Sequence, residues 1–158
     1  KQAYLYVDVG GGSTEITYFK NGNVADSRSF NIGTIRILND MVKTSKWEDL
    51  HAWLDDILKG QHVQLIGSGG NINKVAKISK KDPKEPLSYD YIKGYYDTLR
   101  SHTYEERILK LDLNPDRADV IIPAMKIFVN IMKWTKSKQI YVPKVGLADG
   151  IIKQLAGV

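Results

Sequence analysis

The stretch Ala3-Tyr4-Leu5-Tyr6-Val7-Asp8-Val9-Gly10-Gly11-Gly12-Ser13-Thr14-Glu15-Ile16-Thr17-Tyr18-Phe19-Lys20-Asn21-Gly22 decides the fold class. Ala3 to Val9 is rich in aromatic and β-branched residues and runs into glycines, which reads as a strand. Thr14 to Phe19 alternates polar and apolar residues, the period of a second strand. Asn21-Gly22 is a strong hairpin signal, because both turn positions tolerate positive φ. A third strand then runs from Asn23 to Phe30. The chain therefore opens as a three-stranded antiparallel meander with tight turns.

Downstream, helical and extended patterns alternate. Trp47, Leu50, Trp53, Leu54, Ile57 and Leu58 repeat at helical spacing behind a Ser45-Lys46-Trp47-Glu48 capping box, and Gly60 closes that helix. His62 to Ile66 reads as a short buried strand. It leads into Gly67-Ser68-Gly69-Gly70 and an amphipathic segment with Ile72, Val75, Ala76 and Ile78 on one face. Lys80 to Pro86 reads as a charged surface loop. Ser88 caps a helix, and Thr103-Tyr104-Glu105-Glu106 is a second capping box. Asn114-Pro115 opens a long apolar helix, inside which Pro123 predicts a kink or break. Gln139 to Val142 is a last short strand, and Leu147, Ile151, Ile152 and Leu155 mark a final helix. A meander followed by strand–helix units predicts an α/β domain with a mixed sheet and helices on its faces.

The 158 residues fit a single domain, 1–158, large enough to bury a core. With 42% hydrophobic and 26% charged residues the composition is that of a soluble globular protein. No apolar run is long enough to span a bilayer, and the start has no signal-peptide layout. Cysteine is absent, which excludes disulfides and thiolate metal sites and fits a reducing cytoplasm, the expected location. The first residue is not Met and a strand begins almost at once, so the chain reads as an excised fragment or a mature form. The net charge of +5 comes mainly from Lys, clustered at Lys74, Lys77, Lys80, Lys81 and Lys84 and again at Lys126, Lys133, Lys136 and Lys138. Two readings stay open: solvated helix faces, or a surface that gathers polyanions. The Arg-poor pattern argues against a specific nucleic-acid face.

The chemistry concentrates in two glycine loops. Asp8 ends a strand, Gly10, Gly11 and Gly12 follow, then the hydroxyls of Ser13 and Thr14, then Glu15. Consecutive glycines let backbone N–H groups approach an anion, and the hydroxyls can add donors. An acid at the mouth of such a loop can hold Mg²⁺, which prefers a few carboxylates plus phosphate and water. The alternative is a plain hairpin turn beside a solvated Asp, although a tight hairpin needs fewer glycines. The loop is neither a Walker loop nor a dinucleotide fingerprint, since it lacks Gly-Lys-Ser/Thr and a strand follows it. Ile66-Gly67-Ser68-Gly69-Gly70-Asn71 places a second loop between a strand and a helix N-terminus, a ready anion site. Its plain reading is an ordinary turn capped by Asn71. His51, His62 and His102 lie far apart and suggest no metal cluster.

Taken in order, these motifs resemble the exopolyphosphatase / guanosine pentaphosphate phosphatase (Ppx/GppA) family. The resemblance rests on Asp8 to Glu15, on Phe30-Asn31-Ile32-Gly33-Thr34-Ile35-Arg36, on Ile66 to Asn71, on Arg117-Ala118-Asp119-Val120-Ile121-Ile122-Pro123 and on Val145-Gly146-Leu147-Ala148-Asp149-Gly150. It spans nearly the whole chain. One departure is Leu147-Ala148-Asp149-Gly150, where the family usually carries Arg and an acid.

The resemblance implies a ribonuclease-H-like domain of the actin/Hsp70/sugar-kinase superfamily, the second of two that face each other across a cleft. It implies a Mg²⁺-dependent hydrolysis of terminal phosphoanhydrides in polyphosphate or guanosine pentaphosphate. Asp8 would hold the metal, and Glu15, the acidic residue that ends the motif, would be catalytic by aiding the water or the metal. Gly10, Gly11, Gly12, Ser13, Thr14, Ser68, Gly69 and Gly70 would bind phosphates. The family's first domain, with its own loop and glutamate, is not found in this sequence, so the fragment alone is expected to turn over little. Pairing of two copies stays open. So do a non-catalytic alarmone-binding regulator and an ATPase or kinase of the superfamily.

Overall fold

In a computed structural model, residues 2–144 are described. Three strands form the meander: β1 (Ala3–Val9), β2 (Thr14–Lys20) and β3 (Asn23–Phe30), each antiparallel to the next. Asn21 (φ 53°) and Gly22 (φ 81°) both take positive φ, as the turn between β2 and β3 requires. A register shift falls between Tyr18 and Phe19, where a bulge turns both rings into buried positions on consecutive residues.

A short helix α1 (Thr34–Leu38) and the longer α2 (Thr44–Leu58) connect the meander to β4 (Gln64–Ser68). Next come α3 (Gly70–Ser79), a two-residue strand β5 (Leu87–Ser88), α4 (Tyr89–Ser101) and α5 (Tyr104–Leu111). The chain continues through α6 (Pro115–Ala118) and α7 (Ile121–Trp134) into β6 (Gln139–Tyr141). The sheet order is β3-β2-β1-β4-β6-β5, with β1, β4 and β6 parallel to one another. This is the mixed sheet expected from the sequence.

Several local expectations hold and several shift. Ser88 accepts from the Tyr91 amide, and Thr103 with Glu106 forms the full capping box. The box at Ser45 does not form: the N-cap is Lys43, two residues earlier, with no side-chain cap. The long apolar helix is two helices, interrupted at Asp119 and Val120 just before Pro123. Pro123 has no N–H to give the carbonyl four residues back, at Asp119, so the ladder cannot run through that point. The β4 strand lies two residues later than expected, and the expected final helix falls outside the described residues.

One face of the sheet carries the core. Leu5, Val7, Val9, Ile16, Leu65 and Ile140 are buried there with α7, of which Ile121, Ala124, Ile127, Phe128 and Ile131 are almost fully enclosed. Fully burying a side chain such as Phe128 stabilises the fold by about 1.5–3 kcal/mol relative to leaving it exposed. Gly67 makes that approach fit. A Cβ there would lie 2.8 Å from Ile140 Cδ1 and 3.2 Å from Phe128 Cε1. Packing thereby fixes the ends of β1 and β4, where the glycine loops begin. Among the described residues no helix is long and apolar enough to cross a membrane.

Candidate functional site

Strand register builds the site. Asp8, at the end of β1, faces Glu15 on β2 and Ser68 on β4, and Glu15 faces Ser29 on β3. Ser29, Glu15, Asp8 and Ser68 thus form one row across four strands. Alternation puts this row on the sheet face opposite Val7, Val9 and Ile16, which are buried in the core. Glu15 is exposed, and Asp8 and Ser68 are half-buried.

The Glu15 carboxylate is held on one side. The Ser29 hydroxyl donates to its Oε1 at 2.9 Å, and the Ser13 hydroxyl donates to the same oxygen. Burial, and then the charge of Glu15, push the Asp8 carboxyl up from its ordinary value. Two carboxylates facing each other across an antiparallel pair repel, and a cation between them would relieve this.

The first glycine loop is tied by its carbonyls. The Thr34 amide donates to Gly10 O at 3.0 Å and the Ile35 amide to Gly11 O at 2.9 Å. Arg36 adds a side-chain bond from Nε to Gly12 O at 2.7 Å. The N-terminus of α1 is therefore filled by the loop itself. With the carbonyls turned this way, the amides of Gly11, Gly12 and Ser13 have no acceptor among the described residues. None of the three glycines uses positive φ. What they supply is room: a Cβ on Gly12 would meet nothing within 4 Å, whereas one on Gly11 would press on Ile35 at 3.2 Å.

The second loop sits beside the first. Gly69 takes φ 119°, and a Cβ there would lie 2.6 Å from Val9 O, so the two loops touch through backbone. Gly70 opens α3, whose first amides are free of intrahelical partners. The Arg117 guanidinium fills the space a side chain at Gly70 would take, with Nη1 2.5 Å from that Cβ position. It also donates to Asn71 Oδ1 at 3.2 Å. Asn71 is buried and provides no side-chain cap, so its place here is as the acceptor for Arg117.

Of the expected site residues, the structure brings Asp8, Gly10, Gly11, Gly12, Ser13, Glu15, Ser68, Gly69 and Gly70 to one end of the sheet's strands. Thr14 is not brought there by its side chain. It is fully buried, and its hydroxyl donates to Ile32 O at 2.6 Å, tying β2 to the turn before α1. Three residues join that sequence reading did not assign: Ser29, Arg36 and Arg117. Both arginines lie in motifs already singled out, but only the fold shows what they touch. Ser29 had no signal beyond lying in a strand. His51 stacks on Trp134 with ring centroids 4.6 Å apart. Among the described residues no group of three metal-ligating side chains occurs. A cavity of about 470 Å³ opens beside α3 instead, bordered by Lys77, Lys80, Lys81 and Lys144.

The sequence matches the Ppx/GppA phosphatase family over residues 1–157. The chain belongs to that family. Among solved structures, it is similar to an Aquifex aeolicus Ppx/GppA phosphatase (type II variant), with a TM-score of 0.73 and 24% identity over 98% of this chain. It is also similar to an exopolyphosphatase from Cytophaga hutchinsonii, with a TM-score of 0.70 and 21% identity over 96% of this chain. At these identities the likeness establishes the fold, which is the actin-like, ribonuclease-H-like one expected. The chain spans about 57% of the length of each of these two relatives. Comparison with curated proteins gave no significant match. In Ppx/GppA terms, the signatures at Asp8 to Glu15 and Phe30 to Arg36 are one unit: the second motif is the lock on the first. The signature at Leu147 to Gly150 lies outside the described residues.

Proposed function

We propose that this chain is one wall of a phosphohydrolase cleft that removes the terminal phosphate from inorganic polyphosphate or guanosine pentaphosphate. The observation that carries the reading is the contact between the two glycine loops, with free amides on the first and Arg117 over the second. Amides at a helix N-terminus and an arginine fork both favour phosphate oxygens. In this reading the amides of Gly11, Gly12 and Ser13 hold one phosphate, and Gly69, Gly70 and Arg117 hold its neighbour.

The donor set fits Mg²⁺ better than a metal needing a full protein cage. Two facing carboxylates, one of them destabilised as an anion, are what a hard cation shared with phosphate and water uses. Asp8 would hold it, and bound Mg²⁺ would neutralise charge on the phosphate oxygens. Glu15 orients the attacking water with the carboxylate oxygen that no hydroxyl occupies. Water oxygen bonds to the terminal phosphorus and gives a proton to that open Glu15 oxygen, while the bridging oxygen leaves with the electron pair of the broken P–O bond. Charge developing on that bridging oxygen needs donors from both sides of the cleft. The opposite wall is the other domain, so the isolated chain binds phosphate weakly and turns over little.

Phosphate release by the two-domain protein tests this, with Mg²⁺ and either polyphosphate or guanosine pentaphosphate as substrate. Asp8→Ala and Glu15→Ala should each lower the rate by about a hundredfold or more. Unchanged release in both variants would remove the assignment.

A further inference from the structure

The row Ser29, Glu15, Asp8, Ser68 contains one member to which the reading above gives no role. We propose that Ser29 is the positioning residue for Glu15, holding its carboxylate in the orientation that water activation needs. The inference rests on the proposed role of Glu15.

Ser29 and Glu15 are direct cross-strand partners, and the Ser29 hydroxyl donates to Glu15 Oε1 at 2.9 Å. Ser13 donates to the same oxygen. Two donors on one oxygen fix the plane of the carboxylate and leave Oε2 open. Glu15 is exposed, so without them its side chain would explore many rotamers, and each reaction cycle would have to order it again.

Of the two hydroxyls, Ser29 is the one suited to holding. Ser13 belongs to the loop proposed to bind phosphate, so its hydroxyl has a competing acceptor whenever substrate is present. Ser29 stands on β3, registered against β2 from Thr14 to Lys20. Its neighbour Arg28 is tied to Asp49 at 2.7 Å and lies over the Phe30 ring, 4.7 Å from its centroid. These contacts anchor the backbone that carries Ser29. Two pairs further along, on the same face, the Thr17 and Ser27 hydroxyls bond each other, at 3.2 Å. The hydroxyl–carboxylate pairing is specific to the position beside Asp8.

The test is steady-state phosphate release by the two-domain protein with Ser29→Ala, Ser29→Thr and Glu15→Ala. Ser29→Ala should lower kcat about tenfold with KM within about twofold and the melting temperature unchanged. Ser29→Thr keeps a hydroxyl on a strand-compatible side chain and should retain most of kcat. If Glu15→Ala is inactive while Ser29→Ala keeps its full kcat, the positioning role is wrong and the role of Glu15 stands. If Ser29→Thr is as impaired as Ser29→Ala, the hydroxyl is not what matters, and the proposal fails. Full activity in Glu15→Ala removes the role of Glu15 in water activation, and the proposal for Ser29 with it.

Discussion

Gly33 rests directly on the peptide of Gly11: a Cβ at residue 33 would lie 2.3 Å from the Gly11 carbonyl oxygen. No side chain can occupy that space without moving the first glycine loop. The bond from Thr34 to Gly10 and the bond from Arg36 to Gly12 close around the same contact. The glycine of the second signature is therefore required by the geometry of the first.

Gly33→Ala should destabilise the chain by about 1–3 kcal/mol through overpacking. Gly12→Ala provides the control, since a Cβ there would meet nothing within 4 Å. Its stability should change by no more than about 0.5 kcal/mol, while its methyl would intrude where phosphate is proposed to lie. Urea unfolding together with tripolyphosphate titration separates the two. Gly33→Ala lowers stability and affinity together, and Gly12→Ala lowers affinity alone.

Gly69→Ala should be more severe. Its φ of 119° disfavours any side chain, and the new Cβ would lie 2.6 Å from Val9 O. Backbone strain of about 1–3 kcal/mol adds to the clash. Thermal melting should show a clear loss, and a variant as stable as the parent would contradict the described contact between loops.

The Asp8 carboxyl is raised by burial and by Glu15. The sign follows from proton binding. Between the ordinary carboxylate value and the raised one, the folded chain holds a proton that the unfolded chain has lost. Stability from this group therefore falls as pH rises through that window, and it is lowest at neutral pH. Asp8→Asn removes the penalty. It should raise the melting temperature at pH 7 and shrink that gain at pH 4. A lower melting temperature at pH 7 would show that Asp8 is stabilised by a partner other than those described.

These arguments show where sequence alone sufficed. The meander was legible because Asn21-Gly22 and the alternation of Thr14 to Phe19 are local signals, read within a few residues. Capping at Ser88 and Thr103 was legible for the same reason. The capping box at Ser45 failed because a local motif competes with tertiary packing, and α2 begins at Thr44 without a side-chain cap. Thr14 looked like a phosphate ligand beside Ser13. Strand alternation turns it to the core, where Ile32 takes its hydroxyl. Arg117 reaches Gly70 and Asn71 only because α6 is folded back near the start of α3, a contact between residues 46 apart in sequence. No local pattern encodes that.

Arg117→Ala should weaken tripolyphosphate binding to the chain about tenfold, the loss expected for a charged hydrogen-bonding partner. Arg117→Lys should recover part of it, as a point charge without the fork. Isothermal titration would measure both, and equal affinities in all three proteins would exclude Arg117 from the phosphate wall.

The central claim is that the two glycine loops bind phosphate together. Amide NMR of this chain, titrated with tripolyphosphate in the presence of Mg²⁺, tests it most directly. The account predicts that Gly11, Gly12, Ser13, Gly70 and Asn71 shift along one binding curve. Shifts confined to the lysine-bordered groove at Lys77, Lys80 and Lys81, with both loops silent, would contradict it.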